Sequence, residues 1–284
     1  MRRILVTGAN KGIGLAIVSE VLAQHEDTFV FVGARSLERG RGALESLCKS
    51  NPAWAERVML VELDVSSDES VARAVSQLAD AIGDERLYGV VNNAGIGFGA
   101  GDLNTVLQVN TLGVRRVSEA FLPLLDRSSG RIVNITSAAG PNFVAECSPE
   151  RQRFFLDSQV EWSQLESFIE ECNATDGGKD GFAAKGLGDG DPYGLSKACA
   201  NSYTMLLARE NPNLRVNACT PGFIETDLTR PYADARGKSP SDMGMKPPAE
   251  GTTSALFLLF GEPEGDGHYY GSDAKRSPLD RYRA

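Results

Sequence analysis

Short runs of β-branched and aromatic residues alternate along the chain with longer stretches in which apolar positions recur every three or four residues. The short runs predict strands at Ile4–Val6, Thr28–Gly33, Val58–Leu63, Gly89–Val91, Arg131–Ile135 and Arg215–Cys219. The longer stretches predict helices at Ile13–Gln24, Leu37–Cys48, Ser67–Ile82, Asn104–Leu125 and Tyr193–Arg209, with another, Ala249–Phe260, after the last of these strands. Such regular alternation predicts an α/β fold: a doubly wound parallel sheet with crossover helices (a Rossmann fold), one domain across residues 1–284.

Two stretches interrupt the alternation. Residues 141–192 separate the fifth strand from the helix that starts at Tyr193. Within them Phe155, Trp162, Leu165, Phe168, Ile169 and Cys172 follow helical spacing and predict one inserted amphipathic helix, followed by the glycine-rich loop "ATDGGKDGFAAKGLGDGDP". Residues 223–248 are polar and carry prolines. A loop of that length beside a strand end predicts a lid over a binding site.

Composition narrows the partners. Lys+Arg 29 against Asp+Glu 38 gives a net charge of −9, which argues against nucleic acid or an anionic membrane as the main partner. No apolar stretch approaches membrane-spanning length, and "MRRILVTGAN" is too short for a signal-peptide core and reads as a first strand. Five cysteines without a C-x-x-C pair predict idle thiols in a reducing, cytoplasmic setting.

Candidate chemistry begins at "ILVTGANKGIGLAIV". Gly8, Gly12 and Gly14 lie between a predicted strand and a predicted helix, where a backbone without side chains and a helix N-terminus suit a pyrophosphate. The second strand ends "FVGARS", so Arg35 stands where an NAD site usually carries a carboxylate. With Lys11 in the turn, two cations and no carboxylate favour the 2′-phosphate of NADP(H). Further along, "DGDPYGLSK" places Tyr193 and Lys197 four apart on one predicted helix, so phenol and ammonium share a face.

Seven motifs then occur in order: "TGANKGIG" (7–14), "LDV" (63–65), "NNAG" (92–95), "VNTLG" (109–113), "NITS" (134–137), "YGLSK" (193–197) and "NACTPGFIETDL" (217–228). Together they resemble the short-chain dehydrogenase/reductases over residues 3–260. The long gap between Ser137 and Tyr193 resembles the carbonyl reductase-like, NADP-using group, whose inserted helix covers the surface that other members use to oligomerise. That resemblance implies a monomer. It also implies four catalytic positions, Asn110, Ser137, Tyr193 and Lys197, with Asn110 holding a water that passes protons to Lys197. For the cofactor it implies Asp64 at the adenine and Asn92 along the ribose. It further implies Asn10, Ile13, Val65, Ala94 and Gly95 beside the same groove, and Pro221, Gly222 and Thr226 near the nicotinamide, where Tyr193 and Lys197 also lie.

These residues suit reduction of a small-molecule ketone, aldehyde or quinone. Hydride transfer to a carbonyl leaves charge on oxygen, which Tyr193 would protonate, its proton loosened by Lys197. Ser137 would hydrogen-bond the same oxygen, with Thr136 as a stand-in, and Phe143 and Phe223 would wall the substrate. Other classes lack their residues. His25 and His268 are the two histidines and have no paired ligands for a zinc site, and no G-x-S-x-G elbow is present. A non-catalytic NADP-binding sensor or scaffold on the same fold is the alternative. The closing "GHYYGSDAKRSPLDRYRA" departs from the wider family, with Tyr269 and Tyr270 as a possible last strand.

Overall fold

The computed structural model describes residues 1–97 and 99–283. From the N-terminus the order is β1 (Arg2–Val6), α1 (Gly12–Gln24), β2 (Thr28–Ala34), α2 (Leu37–Ser50), β3 (Val58–Glu62), α3 (Asp68–Ile82) and β4 (Leu87–Asn92). Then follow α4 (Leu103–Asn110), α5 (Leu112–Phe121), β5 (Arg131–Ile135), α6 (Ala139–Ala145), α7 (Pro149–Leu156), α8 (Trp162–Asn173), α9 (Gly178–Ala184) and α10 (Pro192–Glu210). The chain finishes with β6 (Arg215–Cys219), α11 (Arg230–Asp234), α12 (Thr253–Phe260), β7 (Tyr269–Tyr270) and β8 (Arg276–Ser277).

The strands form one sheet in the order β3-β2-β1-β4-β5-β6-β7-β8, parallel except for the β7–β8 pair. Central strands are largely apolar because helices cover both faces; in β2, "TFVFVGA", only Phe29 is not fully buried. Strand order reverses direction beside β1, where β4 pairs with its other edge. A crevice therefore opens between the loops after β1 and β4, the usual ligand position in such sheets.

Two expected helices differ from the sequence reading. Asn104–Leu125 is broken into α4 and α5, because the Asn110 amide bonds the Ile96 backbone and Thr111 Oγ1 donates to the Ser196 carbonyl at 2.8 Å. The insertion holds several helices instead of one. Phe155 belongs to α7, capped by Ser148 with Pro149 in its first turn, and the rest of the expected stripe belongs to α8. An aspartate turn separates them, with Asp157 Oδ1 accepting from the Gln159 amide at 2.8 Å. The glycine-rich loop contains α9, whose Phe182 packs against the core of the insertion. These helices cover the outer side of α10, where every residue from Gly194 to Thr204 is buried. That explains why α10 lacks a polar stripe.

The five cysteines are free. Burial pushes the thiols of Cys147 to about 11 and of Cys172 and Cys219 to about 12, and raises Cys199 well above the usual value. Cys48 alone is only half-buried. Native protein treated with iodoacetamide should therefore alkylate at Cys48, and the other four thiols only after unfolding. Mass spectrometry showing rapid native labelling of Cys172 or Cys199 would contradict this packing.

Candidate active site

The site is built from loops at the C-terminal ends of the strands. After β1, Gly8 and Gly12 adopt φ of +63° and +56°, where a side chain is strained. Gly14 is required by space instead: a Cβ there would lie 2.4 Å from Asn93 Nδ2 and 2.6 Å from the Gly8 carbonyl. Asn93 fastens this turn to β4, its Nδ2 donating to the carbonyls of Thr7 (2.9 Å) and Gly8 (3.2 Å). Thr7 Oγ1 accepts in return from the amides of Asn93 (3.0 Å) and Ala94 (2.9 Å). The result is a bare backbone cradle at the N-terminus of α1, which fits a dinucleotide pyrophosphate. Asn10 and Ile13 flank it, half-buried.

The expected phosphate cations differ in their surroundings. Arg35 follows β2, is exposed, and has no carboxylate paired with it among the described residues. Lys11 is exposed too, but its Nζ is bound to Asp227 Oδ2 at 2.7 Å. Of the two, Lys11 is the one with a carboxylate partner among the described residues. Asp64 follows β3 on the same edge of the sheet and its Oδ1 accepts from the Ser66 amide (2.9 Å) and hydroxyl (2.6 Å). Val65 is buried against Gly113.

Asn92 requires a correction. Its side chain turns into the core and its Nδ2 donates to Ser118 Oγ (2.9 Å) and Asn134 Oδ1 (2.8 Å), so the amide is not offered to a ribose. Its neighbour Asn93, together with Thr7, does the work at the groove. The doubled asparagine in "NNAG" was the signal: successive residues at a strand end face opposite ways.

Tyr193, Lys197, Ser137 and Asn110 converge beside this groove. Asp191 caps α10 by accepting from the Gly194 amide at 2.8 Å, and Pro192 occupies its first turn, which sets Tyr193 at the start of the helix. Lys197, one turn later, donates to the Ile135 carbonyl at 3.1 Å, and its Nζ lies 5.7 Å from the centre of the Tyr193 ring. The Tyr193 phenol lies beside Ser137, whose Oγ accepts from the Ala139 amide at 3.2 Å. Thr136 does not compete for this role, since it is buried and donates to the Cys219 carbonyl.

The electrostatics depart from expectation. Burial raises the Tyr193 phenol above its ordinary value; the neighbouring Ser137 hydroxyl opposes this and the Asp191 carboxylate adds to it. Only 4 % exposed, Lys197 is drawn down to about 8 by burial. Its ammonium therefore titrates in the working range.

Asn110 is tied to the loop after β4. Its Oδ1 accepts from the Ile96 amide (2.9 Å), and its Nδ2 donates to the Ile96 carbonyl (2.9 Å) and Ser196 Oγ (3.1 Å). The amide fixes the loop after β4. Gly95 lets this loop approach, since a Cβ there would stand 3.2 Å from Asn110 Oδ1 and 3.5 Å from Lys197 Nζ.

Beyond β6, Gly222 has φ of +89° and a Cβ there would meet Ser272 at 3.1 Å, so the C-terminal segment packs directly beneath the Pro221–Gly222 turn. Thr226 faces Gly12 across the groove. Of the two expected aromatic walls, Phe223 is exposed, whereas Phe143 faces the core of the insertion, its ring 6.0 Å from that of Phe155. Phe143 is thus a packing residue.

Known proteins share this architecture. The family profile described as "short chain dehydrogenase" matches residues 2–149. Carbonyl reductase [NADPH] 1 of Sus scrofa is 30% identical over 291 residues, covering 96% of this chain and 93% of the relative. The Homo sapiens protein of the same name is 29% identical over 280 residues, covering 93% and 92%. Among solved structures, salutaridine reductase from Papaver somniferum superposes with a TM-score of 0.78 at 23% identity, covering 95% of this chain and 99% of that one. An NADPH-bound carbonyl reductase from chicken fatty liver gives 0.67 at 24% identity, covering 97% and 98%. With the glycine cradle, the Tyr193–Lys197 pair and a family match over more than half its length, the chain belongs to the short-chain dehydrogenase family.

Proposed function

We propose that this protein reduces a small-molecule ketone, aldehyde or quinone to the alcohol with NADPH. The observation that carries the reading is the Tyr193 phenol beside Ser137, with Lys197 buried one turn on and its Nζ 5.7 Å from the Tyr193 ring, next to a glycine cradle shaped for a dinucleotide. When bound, NADPH supplies the hydride that reaches the carbonyl carbon.

The chain's own residues do the rest. Ser137 and Tyr193 together hold the substrate oxygen, where negative charge develops. Tyr193 gives that oxygen its proton. Burial keeps the phenol protonated, so it starts as an acid. Lys197 then stabilises the phenolate left behind, and it does so only while charged. The inserted helices cover α10, which supports a monomer, and five free thiols support a reducing compartment such as the cytoplasm.

Oxidation of NADPH in the presence of quinones, diketones and aromatic aldehydes tests this. Since Lys197 titrates near 8, reduction should be fastest below that value and fall about tenfold per unit as pH rises beyond it. Reduction at an unchanged rate up to pH 10 would contradict the role of Lys197. Tight NADPH binding without turnover of any carbonyl would favour a sensor on the same fold.

A further inference from the structure

Ala274, in the tight turn that joins β7 to β8, has φ of +58° and is the one non-glycine residue with positive φ among the described residues. A side chain tolerates that conformation only where its surroundings dictate it. Here the contacts that dictate it are explicit. Ser254 on α12, fully buried, donates its hydroxyl to the Gly271 carbonyl and accepts from the Ala274 amide at 3.1 Å. The Gly271 amide donates to the Lys275 carbonyl at 2.8 Å, and the Ala274 amide reaches the Gly271 carbonyl at 3.1 Å. The segment after β8 folds back on the turn: Arg283 Nη2 donates to both Asp273 oxygens, at 2.8 and 3.1 Å. The hairpin turn is thus fixed from α12 and by its own chain.

What this framework carries is Ser272, half-buried against the Pro221–Gly222 turn. That turn takes its shape from the same stretch of chain by two routes. The Tyr270 carbonyl accepts from the Thr220 amide at 3.0 Å, and Thr220 Oγ1 accepts from the Gly222 amide at 3.2 Å. Two residues past Tyr270, Ser272 lies directly under Gly222. A Cβ built at Gly222 would be 3.1 Å from Ser272 Cβ and 3.3 Å from its Oγ, with no other described residue within 4 Å, chain neighbours aside. Beside the turn lies a cleft lined by Phe223, Gly244, Lys246 and Thr253, so the turn is not boxed in on that side.

We propose that Ser272 is a positioning residue for the nicotinamide half of the dinucleotide: the β7–β8 hairpin holds it beneath Gly222, and its size sets how far the Pro221–Gly222 turn stands towards the reacting ring. This rests on the reading that the groove takes NADPH with its nicotinamide at that turn. A bulkier side chain would push the turn into the ring's place, and no side chain would let the turn sink. Either change misplaces the hydride donor while leaving the glycine cradle after β1 untouched. A residue that served only the stability of the fold would weaken both halves of the site alike.

Titration of the full chain with NADPH and with adenosine 2′,5′-bisphosphate, which lacks the nicotinamide half, separates these outcomes. Ser272→Leu should raise the NADPH dissociation constant at least about fivefold, the lower end of what overpacking costs, and leave that of the bisphosphate within about twofold. Carbonyl turnover, read as kcat, should fall by up to about a hundredfold, because a small misplacement of reacting atoms is enough for that. Ser272→Ala keeps the Cβ and should stay within about twofold of wild type in every measurement. Ser272→Gly adds no bulk, yet it should lower kcat and shorten the fluorescence lifetime of bound NADPH, since the ring gains freedom. Bisphosphate binding by each variant reports that its fold is intact. Equal weakening of NADPH and the bisphosphate would overturn the positioning role, as would unchanged NADPH binding and kcat in both Ser272→Leu and Ser272→Gly. Failure of the wild type to bind either ligand would overturn the dinucleotide reading and the role of Ser272 with it.

Discussion

Tyr193→Phe should lower carbonyl turnover by about 10²–10⁴-fold, the usual contribution of a positioned general acid, while NADPH binding stays nearly intact. The substitution removes one oxygen and keeps the ring, so the first turn of α10 retains its packing beside Lys197. What disappears is the phenol beside Ser137, whose raised pKa keeps it protonated and ready to hand over a proton. Ser137 remains able to hydrogen-bond a substrate oxygen, so substrate binding should weaken less than turnover. The measurement is kcat from NADPH oxidation alongside the dissociation constant for NADPH from fluorescence. Turnover kept within a few-fold of wild type would remove the phenol from the mechanism.

Arg35→Asp should weaken NADPH by about ten- to a hundredfold and leave NADH almost unaffected. A charge-assisted hydrogen bond contributes about 1.5–3 kcal/mol, and the reversed charge adds repulsion to the loss. Arg35 is expected to matter more than Lys11 because it is exposed and unpaired among the described residues, whereas Lys11 is already engaged with Asp227. Titration of both dinucleotides into wild type and variant measures this directly. Equal losses for NADPH and NADH would undo the assignment of the 2′-phosphate to Arg35.

The parallel sheet was legible because its strands are buried on both faces and read as short, mainly apolar and β-branched runs; Arg131–Ile135 and Arg215–Cys219 have the same boundaries in sequence and structure. The glycine turn was legible because its demands are local: two positive φ angles and one close approach. What stayed hidden depends on partners remote in sequence. The break after Asn110 is made by Ile96 and Ser196, which no periodicity within residues 104–125 reveals. Phe143 is turned from wall to core by the inserted helices that pack on it. Asn92 and Asn93 are the same residue type, and only the sheet decides which faces the groove. Composition also misled in the insertion, where frequent glycines concealed α9. The lowered lysine follows from the burial of α10 beneath the inserted helices, a consequence of tertiary packing that spacing of Tyr193 and Lys197 cannot express.

The account depends most on where a carbonyl oxygen comes to rest. A crystal structure of the protein with oxidised dinucleotide and a bound ketone should place that oxygen within hydrogen-bond reach, about 2.6–3.2 Å, of both the Tyr193 phenol and the Ser137 hydroxyl. A phenol directed away from the nicotinamide, packed against the inserted helices and out of reach of any ligand, would contradict it.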